Sequence, residues 1–303
     1  MKKFKAYTPY FAGLGFAFIF GFSFMFSKIA LNYAVPLQLI GLRFLVAAVI
    51  FEILRLLKVV KIKIDIKDLK LLLPIALFQP VIYFLGETYG INFSSSSMAG
   101  IVISLIPVVT AILSFFFLKE VLTKVQTAFL ALSLVGILLI GYMTLYDFKI
   151  DMMLGLLFLF LAVISASVYS ILSRKAAGQF CLVKITYVMM MLGAVVFNTI
   201  GFIHSRVVGY AYFAPFSNIS FIISVLFLGA ISSIVAYFLM NYTLSKMPAT
   251  QFSLFANLVT VISIIAGAVF LKEQIFTYQI IGSILIIVGV WGVNYFQKSK
   301  VIG

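Results

Sequence analysis

Apolar runs of about 20 residues recur along the whole chain, and that length is what a helix needs to cross a hydrocarbon core of about 30 Å. Ten such runs can be drawn, roughly at 10–31, 36–58, 69–91, 95–118, 124–143, 153–174, 181–203, 218–241, 248–271 and 276–296. Composition agrees: 64% of the residues are hydrophobic, only 10% are charged, and the mean hydropathy is +1.22. A soluble domain carries about 25% charged residues, so this chain cannot cover itself with polar surface. An outer-membrane barrel would alternate apolar and polar residues in short segments, and no such alternation occurs. The expected fold class is an all-α polytopic membrane protein of ten transmembrane helices.

The chain also repeats itself. Phe117-Leu118-Lys119-Glu120 returns 153 positions later as Phe270-Leu271-Lys272-Glu273. The same offset pairs Tyr89 with Tyr242, Gln126 with Gln279, Gly136 with Gly289 and Tyr142 with Tyr295. Over residues 86–142 it gives 13 identities in 57 pairs. A repeat of this length marks a duplicated unit. The boundaries expected for the two five-helix repeats are 1–146 and 147–303.

Charge sets the orientation. The net charge of +14 does not suggest nucleic acid, because no soluble domain displays a basic patch. Of the 22 Lys and Arg residues, 17 fall on the side of the N-terminus when the spans are threaded alternately, among them Lys58, Lys67, Lys70, Lys124 and Lys246. The positive-inside bias places both termini in the cytoplasm of a multi-pass protein of the plasma or inner membrane. The N-terminal basic stretch reads as the flank of the first span, since no small-residue cleavage site follows it. Five spans per half is an odd number, so the halves insert with opposite topology. Inverted halves are the signature of secondary transporters working by alternating access.

In order along the chain, Phe20-Gly21-Phe22-Ser23 with Lys28, Pro36 with Arg43-Phe44, Glu87-Thr88-Tyr89-Gly90, Ser94 to Ala99, Pro107 with Leu118-Lys119-Glu120, Ser173-Arg174-Lys175, and Leu271-Lys272-Glu273 with Gly282 form a set. This set resembles the drug/metabolite transporter superfamily of the EamA type. The match spans nearly the whole chain, with departures at Phe20 and Ser165, where a Trp is usual, and at Thr260, the repeat mate of Pro107. The resemblance implies ten helices in two five-helix repeats, a central substrate cavity and transport of small molecules such as amino acids, other metabolites or drugs.

Ionisable residues inside spans are the first functional candidates, since each costs about 2.5–3.5 kcal/mol to insert on translocon scales. Arg43 lies seven residues past Pro36, about 10 Å from the outer end at 1.5 Å per residue. Glu87 and Lys28 fall at similar depth, so Arg43 and Glu87 can pair either as a structural tie or as part of a site. In the functional reading Arg43 or Lys28 anchors a carboxylate, and Glu87 meets an amine or a proton. Glu87 aligns with Met240 in the repeat, so this charge is not duplicated. Gln79, Tyr83, Tyr237 and Asn257 are the preferred polar lining, with Ser165, Ser232 and Ser233 as further hydroxyls. Pro74, Pro80 and Pro107 are expected to break their helices beside the site. Lys119, Glu120, Lys272 and Glu273 read as interfacial anchors at span ends.

The expected function is secondary transport of small metabolites, most simply export of amino acids or related amphipathic solutes. The alternatives are an intramembrane enzyme or a channel-like facilitator. An enzyme of the metalloprotease or serine-hydrolase type has little to work with, since the chain has one His, His204, at a loop edge. No phosphate-binding Gly-rich loop occurs, and no cofactor, metal or catalytic residue is expected. The expected partners are a small-molecule substrate, the lipid bilayer and protons as a candidate coupling ion; nucleic acid is not one. The sequence is compatible with a monomer or a homodimer.

Overall fold

A computed structural model describes residues 2–60, 62, 65–118, 123–146, 150–176, 179–246 and 249–296. Among these residues there is no strand, and the helices run α1 (Lys2–Ala30), α2 (Pro36–Leu56), α3 (Ile66–Ala76), α4 (Tyr83–Phe93), α5 (Ser96–Ile103), α6 (Ile106–Leu118), α7 (Lys124–Tyr146), α8 (Ile150–Ala176), α9 (Leu182–Val208), α10 (Ile219–Leu226), α11 (Tyr237–Lys246), α12 (Ala249–Phe270) and α13 (Thr277–Tyr295). Seven segments among them are long and apolar enough to cross a membrane, and Lys124–Gly136, Leu258–Phe270 and Thr277–Gly289 are shorter apolar stretches.

The outer surface is apolar, and the interior holds buried hydroxyls among its apolar side chains. Phe18, Val195, Ile203, Val207, Ile265, Phe270 and Trp291 face outward, whereas Ser23, Ser133, Ser167, Ser232, Ser233 and Ser263 are fully buried. That distribution suits lipid, which rewards apolar exposure and demands that every hydroxyl find a partner inside.

Three of the long segments are broken, and the breaks put backbone where side chains would otherwise be. The third contains a wide turn, Leu77–Ile82, between α3 and α4, with Gln79 in an extended conformation (φ −140°, ψ 111°) and a cis bond to Pro80. The fourth breaks at Ser104 and Leu105, just before Pro107. Both breaks are where the prolines predict them, because proline removes a donor and crowds the preceding turn. The eighth is widened over Phe227–Ala236, between α10 and α11, with no proline at hand. Pro74 lies inside α3 without ending it.

At the first two breaks, hydroxyls from other helices add a second donor to backbone carbonyls that already hold one from their own helix. Ser165 Oγ donates to the Phe78 carbonyl at 2.5 Å, and Thr260 Oγ1 donates to the Gly100 carbonyl at 2.8 Å. Phe78 keeps the Tyr83 N–H as a second donor, so Ser165→Ala is expected to remove only the tie between α8 and the break, at about 1 kcal/mol. The readout is a lowered thermal midpoint of the purified protein; a wild-type midpoint contradicts the account.

The helices associate in pairs that join the early and late parts of the chain. α2 packs antiparallel on α9, with Phe44 against Gly193 and Leu37 beside Gly201. α4 packs antiparallel on α8, where a Cβ on Gly86 would sit 2.5 Å from the Phe158 carbonyl. α1 runs parallel to α12, Gly13 meeting Phe255 and Gly21 meeting Ile262. α7 and α13 are antiparallel, and their contacts are reciprocal. Gly136 lies against Gly282 and Ile286, and Gly289 lies against Phe129 and Ser133. Adding 153 to 129 and 133 gives 282 and 286, so the two glycines meet equivalent positions. The repeated glutamines also do the same job. Gln126 Oε1 accepts from the Thr123 N–H at 2.8 Å, and Gln279 Oε1 accepts from the Phe276 N–H at 3.0 Å, again 153 apart.

The polar stretch from Lys58 to Lys70, read from sequence as interfacial, contains the start of α3. Asp68 accepts from the Asp65 N–H at 3.0 Å and pairs with Lys184 at 2.5 Å, joining α3 to α9.

Candidate functional site

Arg43 lies two turns into α2 and is 2% exposed, while Glu87 on α4 is 0% exposed. The guanidinium does not close a hydrogen-bonded ion pair. Its Nη1 is 3.8 Å from Glu87 Oε2, well beyond the 2.7–2.9 Å of a charge-assisted bond. Instead Nε donates to Ser233 Oγ and Nη2 to Ser232 Oγ, each at 2.9 Å, and the plane sits over the Phe84 ring at 4.2 Å from its centroid. The two serines reach it because the helix is widened at Phe227–Ala236 and because Gly229 lets that backbone approach α2. A Cβ there would lie 2.9 Å from the Arg43 carbonyl. Neither oxygen of Glu87 has a hydrogen-bond partner.

Next to this pair, Gln79 Nε2 donates to the Tyr237 hydroxyl at 2.5 Å. The extended backbone of Gln79 is what turns its amide into the interior instead of continuing a helix face. Gln79 Oε1, the Tyr83 hydroxyl and Thr110 Oγ1 are buried and unpartnered. Buried polar atoms are nearly always paired, so several orphans in one place are unusual. They border a cavity of about 50 Å³ whose other walls are aromatic and aliphatic, including Phe16, Phe20, Met240 and Phe252. Phe20 bridges the two tyrosines, with ring centroids 6.3 Å from Tyr83 and 6.0 Å from Tyr237. The result is an apolar chamber bordered by an amide, a phenol and a threonine hydroxyl, with the Arg43–Glu87 pair outside its lining.

The sequence candidates divide. Arg43, Glu87, Gln79, Tyr83 and Tyr237 come together. Lys28 does not join them: its Nζ donates to the Ile91 and Ser94 carbonyls, at 2.9 and 2.8 Å, closing the end of α4. Glu273 also does more than sit at a span end. Its carboxylate accepts from the backbone and hydroxyl of both Ser96 and Ser97 at 2.5–3.0 Å, while Ser95 caps the same helix through the Met98 N–H. Lys272 is exposed and has a positive φ of 53°. Lys119 and Glu120 lie outside the described residues, as does the side chain of Asn257. Thr110, Phe16 and Phe252 line the cavity without having been picked from the sequence. Thr110 had a faint signal, as the polar repeat mate of Ser263. A separate buried network, Tyr169 and Ser173 donating to Asn241 and Asn241 donating to Thr186, is internally satisfied.

Comparison with known proteins agrees with this architecture. An uncharacterized transporter of Bacillus subtilis (strain 168), YcxC, is 36% identical over 302 residues, covering 99% of this chain and 97% of its own. An uncharacterized transporter of Archaeoglobus fulgidus is 26% identical, covering 96% of this chain and 98% of its own. A protein of known crystal structure shares the fold with a TM-score of 0.64 at 17% identity, covering 94% of this chain and 95% of that one. The EamA-like transporter family matches residues 8–142 and again 153–295. A multi-pass helical chain matched over both stretches, with relatives named as transporters across their full length, belongs to the EamA-like transporter family.

Proposed function

We propose that this protein is a secondary transporter that exports small amphipathic solutes, amino acids or close relatives, by alternating access. The observation that carries the reading is the cluster of unpartnered buried polar atoms on Gln79, Tyr83 and Thr110 lining an apolar cavity, with the unpartnered Glu87 carboxylate further in, near Tyr83. A structural core would satisfy those atoms internally, as the Tyr169–Asn241 network does. A transport site must leave them for a passing solute. The amine of such a solute suits Glu87 and Gln79 Oε1, and its apolar body suits the Phe16, Phe20 and Phe252 walls.

In this reading the chain forms ten spans as two inverted five-helix repeats, 1–146 and 147–303. The reciprocal glycines of α7 and α13 and the matched caps of Gln126 and Gln279 support it. Both termini lie in the cytoplasm, as the basic residues argue. Glu87 is the group through which proton coupling would run, being a fully buried acid with no hydrogen-bond partner.

Purified protein in liposomes tests the proposal. Saturable amino-acid flux that responds to an imposed pH gradient is expected. Non-saturating flux would point to a channel, and product formation without flux to an enzyme.

A further inference from the structure

Two of the helices that flank the cavity, α5 and α12, are tied together at one end by a single side chain. Call the end at which α1 begins proximal. α5 and α12 are antiparallel and touch in their distal halves, where Gly100 receives the Thr260 hydroxyl at 2.8 Å and Gly267 lies against Ser96, Ser97 and Glu273. Proximal of that seam they separate: Ile103, Ile106 and Thr110 on one side face Phe252 and Val259 on the other across the cavity. Over the distal tip Glu273, three residues beyond α12, takes all four donors of Ser96 and Ser97 at the N-terminus of α5. Lys28 of α1 ties the neighbouring end of α4 through the Ile91 and Ser94 carbonyls. The seam below is made of small residues, Gly100, Ser263 and Gly267, which let the backbones approach closely but offer little apolar area to hold them there.

We propose that Glu273 is the latch of the distal gate: its carboxylate on the N-terminus of α5 holds this end shut, and its release is the step that opens the cavity to the side opposite the chain termini. A carboxylate is well suited to the task. It complements the positive end of a helix and satisfies N–H groups that have no partner within the helix. Each of its bonds is to a group that water can take over, so the latch can be exchanged for solvent without leaving orphans. An interfacial anchor would have no reason to bind another helix through two backbone and two hydroxyl donors.

The inference rests on the carrier reading for its meaning, but its test needs neither substrate nor membrane orientation. Cys181, the one native cysteine, is replaced by serine, and Ser263→Cys is introduced in the seam, where the native side chain is fully buried. The detergent-purified protein is labelled with a polar maleimide. Glu273→Ala is expected to raise the labelling rate about tenfold over the parent. Ser96→Ala with Ser97→Ala, which removes two of the four donors, is expected to raise it about threefold. If both variants are monodisperse and label at the parent rate, the latch is overturned. If Glu273→Ala does not fold, the serine pair decides alone, and an unchanged rate there overturns the proposal. No flux from the parent in liposomes, with a seam that Glu273→Ala still opens, would instead count against the carrier reading and leave the latch standing.

Discussion

Arg43→Ala and Glu87→Gln proteins are expected to insert and purify normally and to transport at background, a loss of about 100-fold or more. The reason lies in how the pair is held. Breaking a tight buried ion pair costs about 3–5 kcal/mol because a charge is left uncompensated. Here Nη1 stands 3.8 Å from Glu87, whose oxygens are both unpartnered, so no hydrogen bond is lost, and a carboxylate left alone by Arg43→Ala is neutralised by taking up a proton. Arg43 is instead anchored by Ser232 and Ser233, which reorient easily once it is gone. Stability should fall modestly, while any step that uses the carboxylate or the guanidinium should stop. A thermal melt and a liposome flux assay on the two singles and the double variant separate the cases. A purely structural tie predicts large losses in both singles, recovery in the double and flux retained wherever the protein folds. That pattern would overturn the assignment.

The second large effect falls on folding and leaves the site untouched. Gly86→Val is expected to give little or no monodisperse protein. The added Cβ would stand 2.5 Å from the Phe158 carbonyl and 2.8 Å from the Ala162 nitrogen, both backbone atoms of α8 that no rotamer change can move. Overpacking of this kind costs about 1–3 kcal/mol, and more where backbone must shift. Gly86 is one residue from Glu87, so the comparison is instructive. Gly86→Val should lose the size-exclusion peak, and Glu87→Gln should keep it and lose flux. A well-folded Gly86→Val protein would mean that α4 and α8 are looser than their backbone spacing implies.

How far the sequence reached differs from residue to residue. Arg43 and Glu87 could be picked because a charge within an apolar run is conspicuous and costly. Gln79 and Tyr83 could be picked because Pro80 announces a break next to them. Lys28 was picked on the same logic, yet it serves the end of α4, because depth along the membrane says nothing about which neighbour a side chain faces. Glu273 read as an anchor from its place at a span end, and its Ser96 and Ser97 partners lie 177 and 176 positions away. Phe16, Phe20 and Phe252 are three of 33 phenylalanines and carried no mark that set them beside a cavity.

By itself the sequence determined the class, the period and the family resemblance. A bilayer's thickness translates directly into run length, and a duplication leaves identities at a fixed offset, so both survive reading in one dimension. Tertiary structure alone decided that Arg43 turns to Ser232 and Ser233, that Gln79 leaves its helix to meet Tyr237, and that Glu273 closes over α5. The physical reason is that these helices are apolar nearly all round. An amphipathic helix advertises its buried face by its period, but a helix surrounded by lipid and protein does not. Which side of it meets a partner is fixed only when the helices pack.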